Sequence, residues 1–261
     1  LGYSLLYPYS DNYLDDPAIS GEEKLAFSKR FKQRLMGLGE MGNHYREQRI
    51  SELVGMIEEE YPRSQFPEVH QSLLAIHAAQ TKSIRLSCKG KTQLPDDEVL
   101  SISFEKGGAS VLADGYLVAG HLSPEMQRFL FGYGVWLQLA DDIQDLEEDL
   151  QSDTMTIFSG FGTPEECSLN VNRTFHFGSQ IIESIKYCSE NVCDHFSKVI
   201  LHSINIMVIQ SAGLQGKYFP ATYLKELELF SPVGFRFLRE AKKKGTPGRF
   251  RLLSQIVSDP V

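Results

Sequence analysis

The chain has 261 residues, 42% hydrophobic and 23% charged, an ordinary globular composition that leaves room for one or two domains. A formal net charge of −8 argues against nonspecific attraction to nucleic acid, and no apolar run approaches the roughly 18 residues of a membrane span. Cys88, Cys167, Cys188 and Cys193 lack zinc-ligand spacing, so a reduced, cytoplasmic setting is expected.

In chain order the pattern is helical. Leu1 to Asp16 is rich in Tyr and Leu and stops at Pro17; Pro8 in its middle predicts a kink, or a helix that begins near it. Ser20-Gly21-Glu22-Glu23 is a capping box opening a helix to about Met36, after which Gly37, Gly39 and Gly42 break the pattern. Helices are predicted over Tyr45 to Tyr61, ended by Pro62, and from Pro67 to about Lys89. Asp96 is the expected N-cap of a helix reaching Ala119, and Val99 to Phe104 is the one short strand candidate. Ser123-Pro124-Glu125 sets an N-cap with Pro at the first helical position, and Thr163-Pro164-Glu165-Glu166 repeats it. Two long helices are predicted from Pro164 to Glu190 and from Val192 to Lys217, and a last pair begins near Ala221 and Pro232. No repeat or linker divides the chain, so a single all-α domain over residues 1–261 is expected.

The chemistry concentrates after the apolar run Phe129 to Ala140, where residues 141–149 hold six carboxylates. On a continuous helix Asp142, Asp145 and Asp149 fall within roughly 60° of one another, with Asp141 at the edge of that arc. Like charges at this spacing repel, and a helix C-terminus disfavours anions, so the stripe points to a bound cation. Backwards from Asp142 the same face passes through Gln138, Gly134 and Phe131, from charge to amide to apolar, as in a pocket with a charged mouth. The competing reading is a solvated acidic helix end. A second acidic group, Asp11 to Asp16, places Asp11 and Asp15 on one face just before Pro17. Facing carboxylate ladders suit Mg²⁺ around a polyphosphate, because Mg²⁺ takes one or two carboxylates and fills its shell with water and phosphate oxygens. A di-iron bundle needs Glu-x-x-His pairs on two helices, and the scattered histidines supply none. Lys106-Gly107-Gly108-Ala109-Ser110 sits oddly in a helix, since each Gly costs about 1 kcal/mol relative to Ala; it predicts a kink or a close approach by another group. Lys106 is a candidate phosphate donor, with Lys82, Arg85 and Lys217-Tyr218 as weaker ones.

Gly134-Val135-Trp136-Leu137-Gln138-Leu139-Ala140-Asp141-Asp142-Ile143-Gln144-Asp145 resembles the second Asp-rich motif of the class I isoprenoid synthase superfamily, with its preceding Gln. Asp141, Asp145 and Asp149 also keep the i, i+4, i+8 spacing of the second metal motif in terpene cyclases, and Asp11 to Asp16 is similar to the first motif of squalene and phytoene synthases. The resemblance implies an α-helical bundle around a central cavity, a homodimer being compatible with it. It implies three Mg²⁺ ions held by Asp11, Asp15, Asp141, Asp142, Asp145 and Asp149, and an allylic prenyl diphosphate as substrate. Lys106, Ser110, Gln138, Lys217 and Tyr218 would meet that substrate at its diphosphate end and Phe131 at its hydrocarbon. Catalysis would fall to Asp11, Asp15, Asp141 and Asp145 through metal-assisted ionisation, with no protein nucleophile. Such folds carry two or three helices before the first motif, which here begins at residue 11, so either the pocket lacks a wall or upstream helices are missing. The Arg pair of elongating synthases is replaced by Pro17 to Lys24, which favours a cyclase-like or head-to-head enzyme over a head-to-tail polyprenyl diphosphate synthase. A non-catalytic prenyl-diphosphate-binding or partner subunit is the alternative.

Overall fold

The structure, a computed structural model, describes residues 2–15, 19–39, 42, 44–87, 94–160, 163–188 and 194–244, the side chains of residues 8, 11, 12, 15, 243 and 244 excepted. These residues form eleven α-helices: α1 Gly2–Asp15, α2 Gly21–Leu35, α3 Tyr45–Glu60, α4 Pro67–Ser83, α5 Asp96–Ala119, α6 Pro124–Gln144, α7 Leu146–Gln151, α8 Pro164–Ser184, α9 Asp194–Leu214, α10 Ala221–Glu228 and α11 Phe235–Lys244. The strand candidate Val99 to Phe104 lies inside α5. No helix among the described residues is long and apolar enough to cross a membrane. The chain divides into two compact units, residues 1–138 with 180–192 and residues 139–179 with 193–261.

Local chemistry accounts for most helix starts. The Ser20 side chain accepts from the Glu23 N–H at 3.2 Å, and the Ser123 hydroxyl accepts from the Met126 N–H at 3.2 Å. Thr163 and Glu166 form a reciprocal box, with the Thr163 N–H donating to Glu166 Oε2 at 2.8 Å and the Glu166 N–H donating to Thr163 Oγ1 at 3.4 Å. Two expectations shift. Helix α1 begins at Gly2 and runs through Pro8, so it does not start at the proline. Asp96 is the first residue of α5 and Pro95 precedes it, so Asp96, Asp97 and Glu98 favour the helix by their charge in its first turn and not by a cap.

The first unit is built on helical spacing. Phe27, Phe31 and Leu35 of α2, Ile50, Val54 and Ile57 of α3, and Val69, Leu73 and Ile76 of α4 recur at three or four residues and are buried together. Helix α1 adds Leu6, Tyr7 and Tyr13, and α5 adds Ala109 and Ala113. Each Leu, Ile or Phe buried in this way contributes about 1.5–3 kcal/mol. The Tyr7 hydroxyl donates to the Leu73 carbonyl at 3.1 Å, so α1 satisfies its polar tip while burying its ring. His77 is buried with Nε2 3.2 Å from the Ser28 hydroxyl. Of the cysteines, Cys167 and Cys188 are free thiols, and Cys88 and Cys193 lie outside the described residues.

Two arginine–carboxylate groups fasten the edge of this core. Arg30 reaches Glu47 with Nε and Nη2 at 3.0 and 2.6 Å, and the Gly42 N–H adds a third bond at 2.6 Å. Burial alone would raise the Glu47 carboxyl; the bonds from Arg30 and Gly42 outweigh it and hold the group below its ordinary value. Glu58 receives Arg34 through Nη1 and Nη2 at 2.9 and 2.7 Å, and Arg63 through Nη2 at 2.7 Å. The Arg34 bonds, opposed by partial burial and reinforced by Arg63, bring Glu58 down to about 2.

A carboxyl lowered on folding binds its proton later in the native state than in the unfolded chain. The Glu58 contribution is therefore complete above its ordinary value of 4.5 and disappears as the pH falls from there towards about 2. Urea unfolding across this window should show stability dropping with acid, and Glu58→Gln should flatten the drop; an identical slope in the variant removes Glu58 from the account. At the α5–α6 crossing, a Cβ on Gly134 would collide with the Gly107 carbonyl, whereas one on Gly21 meets nothing within 4 Å. Gly134→Ala should cost about 1–3 kcal/mol by overpacking, and Gly21→Ala should be neutral or gain about 0.5 kcal/mol; denaturation midpoints read both.

Candidate functional site

In the first unit the Lys106–Ser110 segment does not kink. Helix α5 is unbroken, and its glycines serve the close approach that was the other expectation. A Cβ at Gly107 would lie 2.5 Å from both the Gly134 carbonyl oxygen and the Gln138 Cβ, and one at Gly108 would meet the Phe131 ring at 2.5 Å. The segment is thus pressed against Phe131, Gly134 and Gln138, the face of α6 picked out as the pocket stripe. Lys106 is exposed beside it. The Ser110 carbonyl accepts from the Tyr3 hydroxyl at 3.4 Å, which ties this segment to α1. Burial, aided by the charge of Asp114, pushes the Tyr3 phenol up to about 12, so it stays a donor at neutral pH. Lys82 and Arg85 pair with Glu105 and Glu98 of α5 at 2.5 and 2.6 Å. Asp11 and Asp15 fall in the last turns of α1, and their side chains lie outside the described residues.

In the second unit the acidic stretch is not one helix, as its periodicity predicted. Helix α6 ends at Gln144, Asp145 adopts φ −95° and ψ 7°, and α7 starts at Leu146. The gain is electrostatic. Glu147, Glu148 and Asp149 become the first turn of a new helix, where the dipole favours anions, in place of the last turn of an old one. The helical phase survives the junction. The Asp145 N–H donates to the Asp141 carbonyl at 2.9 Å and the Asp149 N–H to the Asp145 carbonyl at 2.8 Å. Asp141, Asp145 and Asp149 are therefore linked as successive i→i−4 partners. Asp141 is exposed, Asp145 and Asp149 are half-buried, and Asp142, one position round, is buried. Asp153, in the left-handed region at φ 55°, terminates α7, and the Thr154 N–H closes back on the Asp149 carbonyl at 2.9 Å.

Lys217, expected as the last residue of the helix from Val192, lies with Tyr218 beyond the end of α9, in a 3-10 turn spanning Gly216–Tyr218. That turn sits on the acidic stretch. Lys217 Nζ pairs with the Glu147 carboxylate, while the same ammonium stands 4.9 Å from the centroid of the Tyr218 ring. The Glu147 bond raises the Lys217 ammonium, and Lys217 in turn lowers Glu147. One residue earlier in the approach, the buried Gln215 side chain donates from Nε2 to the Gln144 carbonyl at 2.7 Å, satisfying the last residue of α6. Gln215 and Glu147 were not singled out in the sequence. No local signal could have done so, because their contacts join segments some 70 residues apart.

Chemically the stretch offers hard carboxylate oxygens, with no His or Cys between residues 141 and 149, which suits Mg²⁺ or Ca²⁺ better than softer metals. Among the described residues no group of three or more His, Cys, Asp or Glu side chains is gathered closely enough to form a complete protein cage. One or two carboxylates per ion, completed by water and phosphate oxygens, is the arrangement Mg²⁺ uses. The docking of the Gly216–Tyr218 turn is testable through Gln215. Gln215→Leu should cost about 1–2 kcal/mol by leaving the Gln144 carbonyl unsatisfied; an unchanged urea midpoint would show that the turn is held by other contacts. No protein-family model, no curated protein and no solved structure matches the chain.

Proposed function

We propose that the chain is a Mg²⁺-dependent isoprenoid synthase that ionises an allylic prenyl diphosphate, in a cyclase-like reaction or a head-to-head condensation. The observation that carries this reading is the register of Asp141, Asp145 and Asp149, kept by backbone hydrogen bonds across the α6–α7 junction with Lys217 held beside it.

In this reading Asp141, Asp145 and Asp149 present oxygens to the metal from one side, with Asp142 as a buried neighbour, and Asp11 and Asp15 supply the first motif. Mg²⁺ bound there would neutralise the carboxylates and polarise the diphosphate oxygens as the allylic C–O bond breaks. Lys217, released from Glu147, and Lys106 donate to the diphosphate as point charges. Gln138 and Ser110 offer hydrogen bonds, Tyr218 fixes Lys217 through its ring, and Phe131 meets hydrocarbon. Water exclusion, and not a protein nucleophile, decides the fate of the allylic cation.

Incubating the chain with geranyl, farnesyl and geranylgeranyl diphosphates and Mg²⁺ should release pyrophosphate, and a chelator should stop it. Asp141→Ala and Asp145→Ala should each slow release by about 100-fold or more. Turnover surviving both substitutions removes the second ladder from the mechanism. Substrate-dependent thermal stabilisation without any release would make the chain a binding subunit and not an enzyme.

A further inference from the structure

The second unit contains a cavity of about 480 Å³ between α8, α9 and α10 that is lined by none of the residues assigned above to metal or diphosphate. Its wall follows from helical spacing: α9 supplies His202, Asn205, Ile206 and Ile209 at i, i+3, i+4 and i+7. On the facing helix Tyr223, Glu226 and Leu227 recur at the same interval. The floor is aliphatic, from Ile206, Ile209 and Leu227, and Ile209 and Leu227 are buried. Around it stand three aromatic rings, Phe175, Tyr223 and Phe230. The Tyr223 hydroxyl donates to Asn172 Oδ1 at 2.9 Å, which fixes the ring at the mouth and leaves its oxygen lone pairs as acceptors. Burial pushes that phenol up to about 12, so it remains neutral.

The ionisable side chains on this wall, the Tyr223 phenol aside, are Glu226 and His202. Glu226 brings a carboxylate, and neither Lys nor Arg lines the space. Asn205 Oδ1 is buried without a hydrogen bond, so a rotation of the amide towards a donor in the cavity would satisfy it. A phosphate or carboxylate ligand would meet the Glu226 carboxylate with no Lys or Arg to balance it, His202 being the one imidazole on the wall. Aromatic faces beside a carboxylate are instead the surroundings that stabilise an organic cation. We propose that this cavity binds an amphipathic ammonium compound: an aliphatic or aromatic body of about a dozen non-hydrogen atoms seated on Ile206, Ile209 and Leu227, with its amine between Glu226 and the rings of Tyr223 and Phe230.

The charge of the ligand is the discriminating variable. Three probes share one body: 4-phenylbutylamine, 4-phenylbutanol and 4-phenylbutyrate. Titration calorimetry on the whole chain should give the amine about tenfold tighter binding than the alcohol, with the carboxylate weakest. Glu226→Gln, at an exposed position that should leave the unfolding midpoint in place, should remove most of the amine's advantage and leave the alcohol unchanged. It should also leave pyrophosphate release unaltered, so this assignment and the synthase reading fail independently. Equal or tighter binding of the carboxylate, undiminished amine affinity in Glu226→Gln, or no binding of the amine at millimolar concentration would each overturn the proposal.

Discussion

The absence of two side chains, at Gly107 and Gly134, sets the approach of α5 to α6 in the first unit. Without Cβ atoms α5 and α6 approach backbone to backbone, and dispersion between the two main chains replaces the side-chain layer that ordinarily separates helices. The neighbours inherit that distance. Phe131 lies over Gly108, Gln138 over Gly107, and Gly132 of the same helix gives space to Ile181. The five glycines of these two helices weaken local helix propensity by about 1 kcal/mol each, and close packing offsets the loss. One consequence is that Phe131 and Gln138 are held by rigid backbone and not by flexible side chains.

The two units manage carboxylates differently. In the first, Glu47 and Glu58 sit against arginine forks whose planar geometry matches a carboxylate, so their charge is balanced by the protein. In the second, residues 141–149 contain six carboxylates and no basic residue of their own, and Lys217 comes to them from far along the chain. An acidic surplus of this kind is ordinary on a solvated surface. It is less ordinary where Asp142 is buried and a lysine is brought in by a dedicated turn.

Helix positions were largely legible because proline, glycine and Ser or Thr caps mark them chemically. Pro62, Pro67, Pro124 and Pro164 each stand at or beside a helix boundary, the Ser20 hydroxyl caps the Glu23 N–H, and the box at Thr163 closes in both directions. The Gly107-Gly108 pair announced a close approach but could not name its partner, since the partner face of α6 is set by tertiary packing. The junction at Asp145 was hidden for another reason. The bonds from Asp145 to Asp141 and from Asp149 to Asp145 keep the same periodicity on both sides of the break. The Ile206 and Ile209 face of α9 carries no signal of a cavity in the sequence, because an apolar helical stripe has the same pattern whether it faces a neighbour or a cavity.

The division of the acidic run at Asp145 also bears on how folding and ion binding are coupled. Had the run continued α6, its final turns would have gathered negative charge at the negative end of a dipole, and a cation would have been needed merely to let the helix form. With α7 starting afresh, Glu147, Glu148 and Asp149 lie where anions stabilise the backbone. The segment can then reach its shape before any ion arrives. Under the proposed reading, an ion taken up there would not be required for the fold, as a structural metal would be.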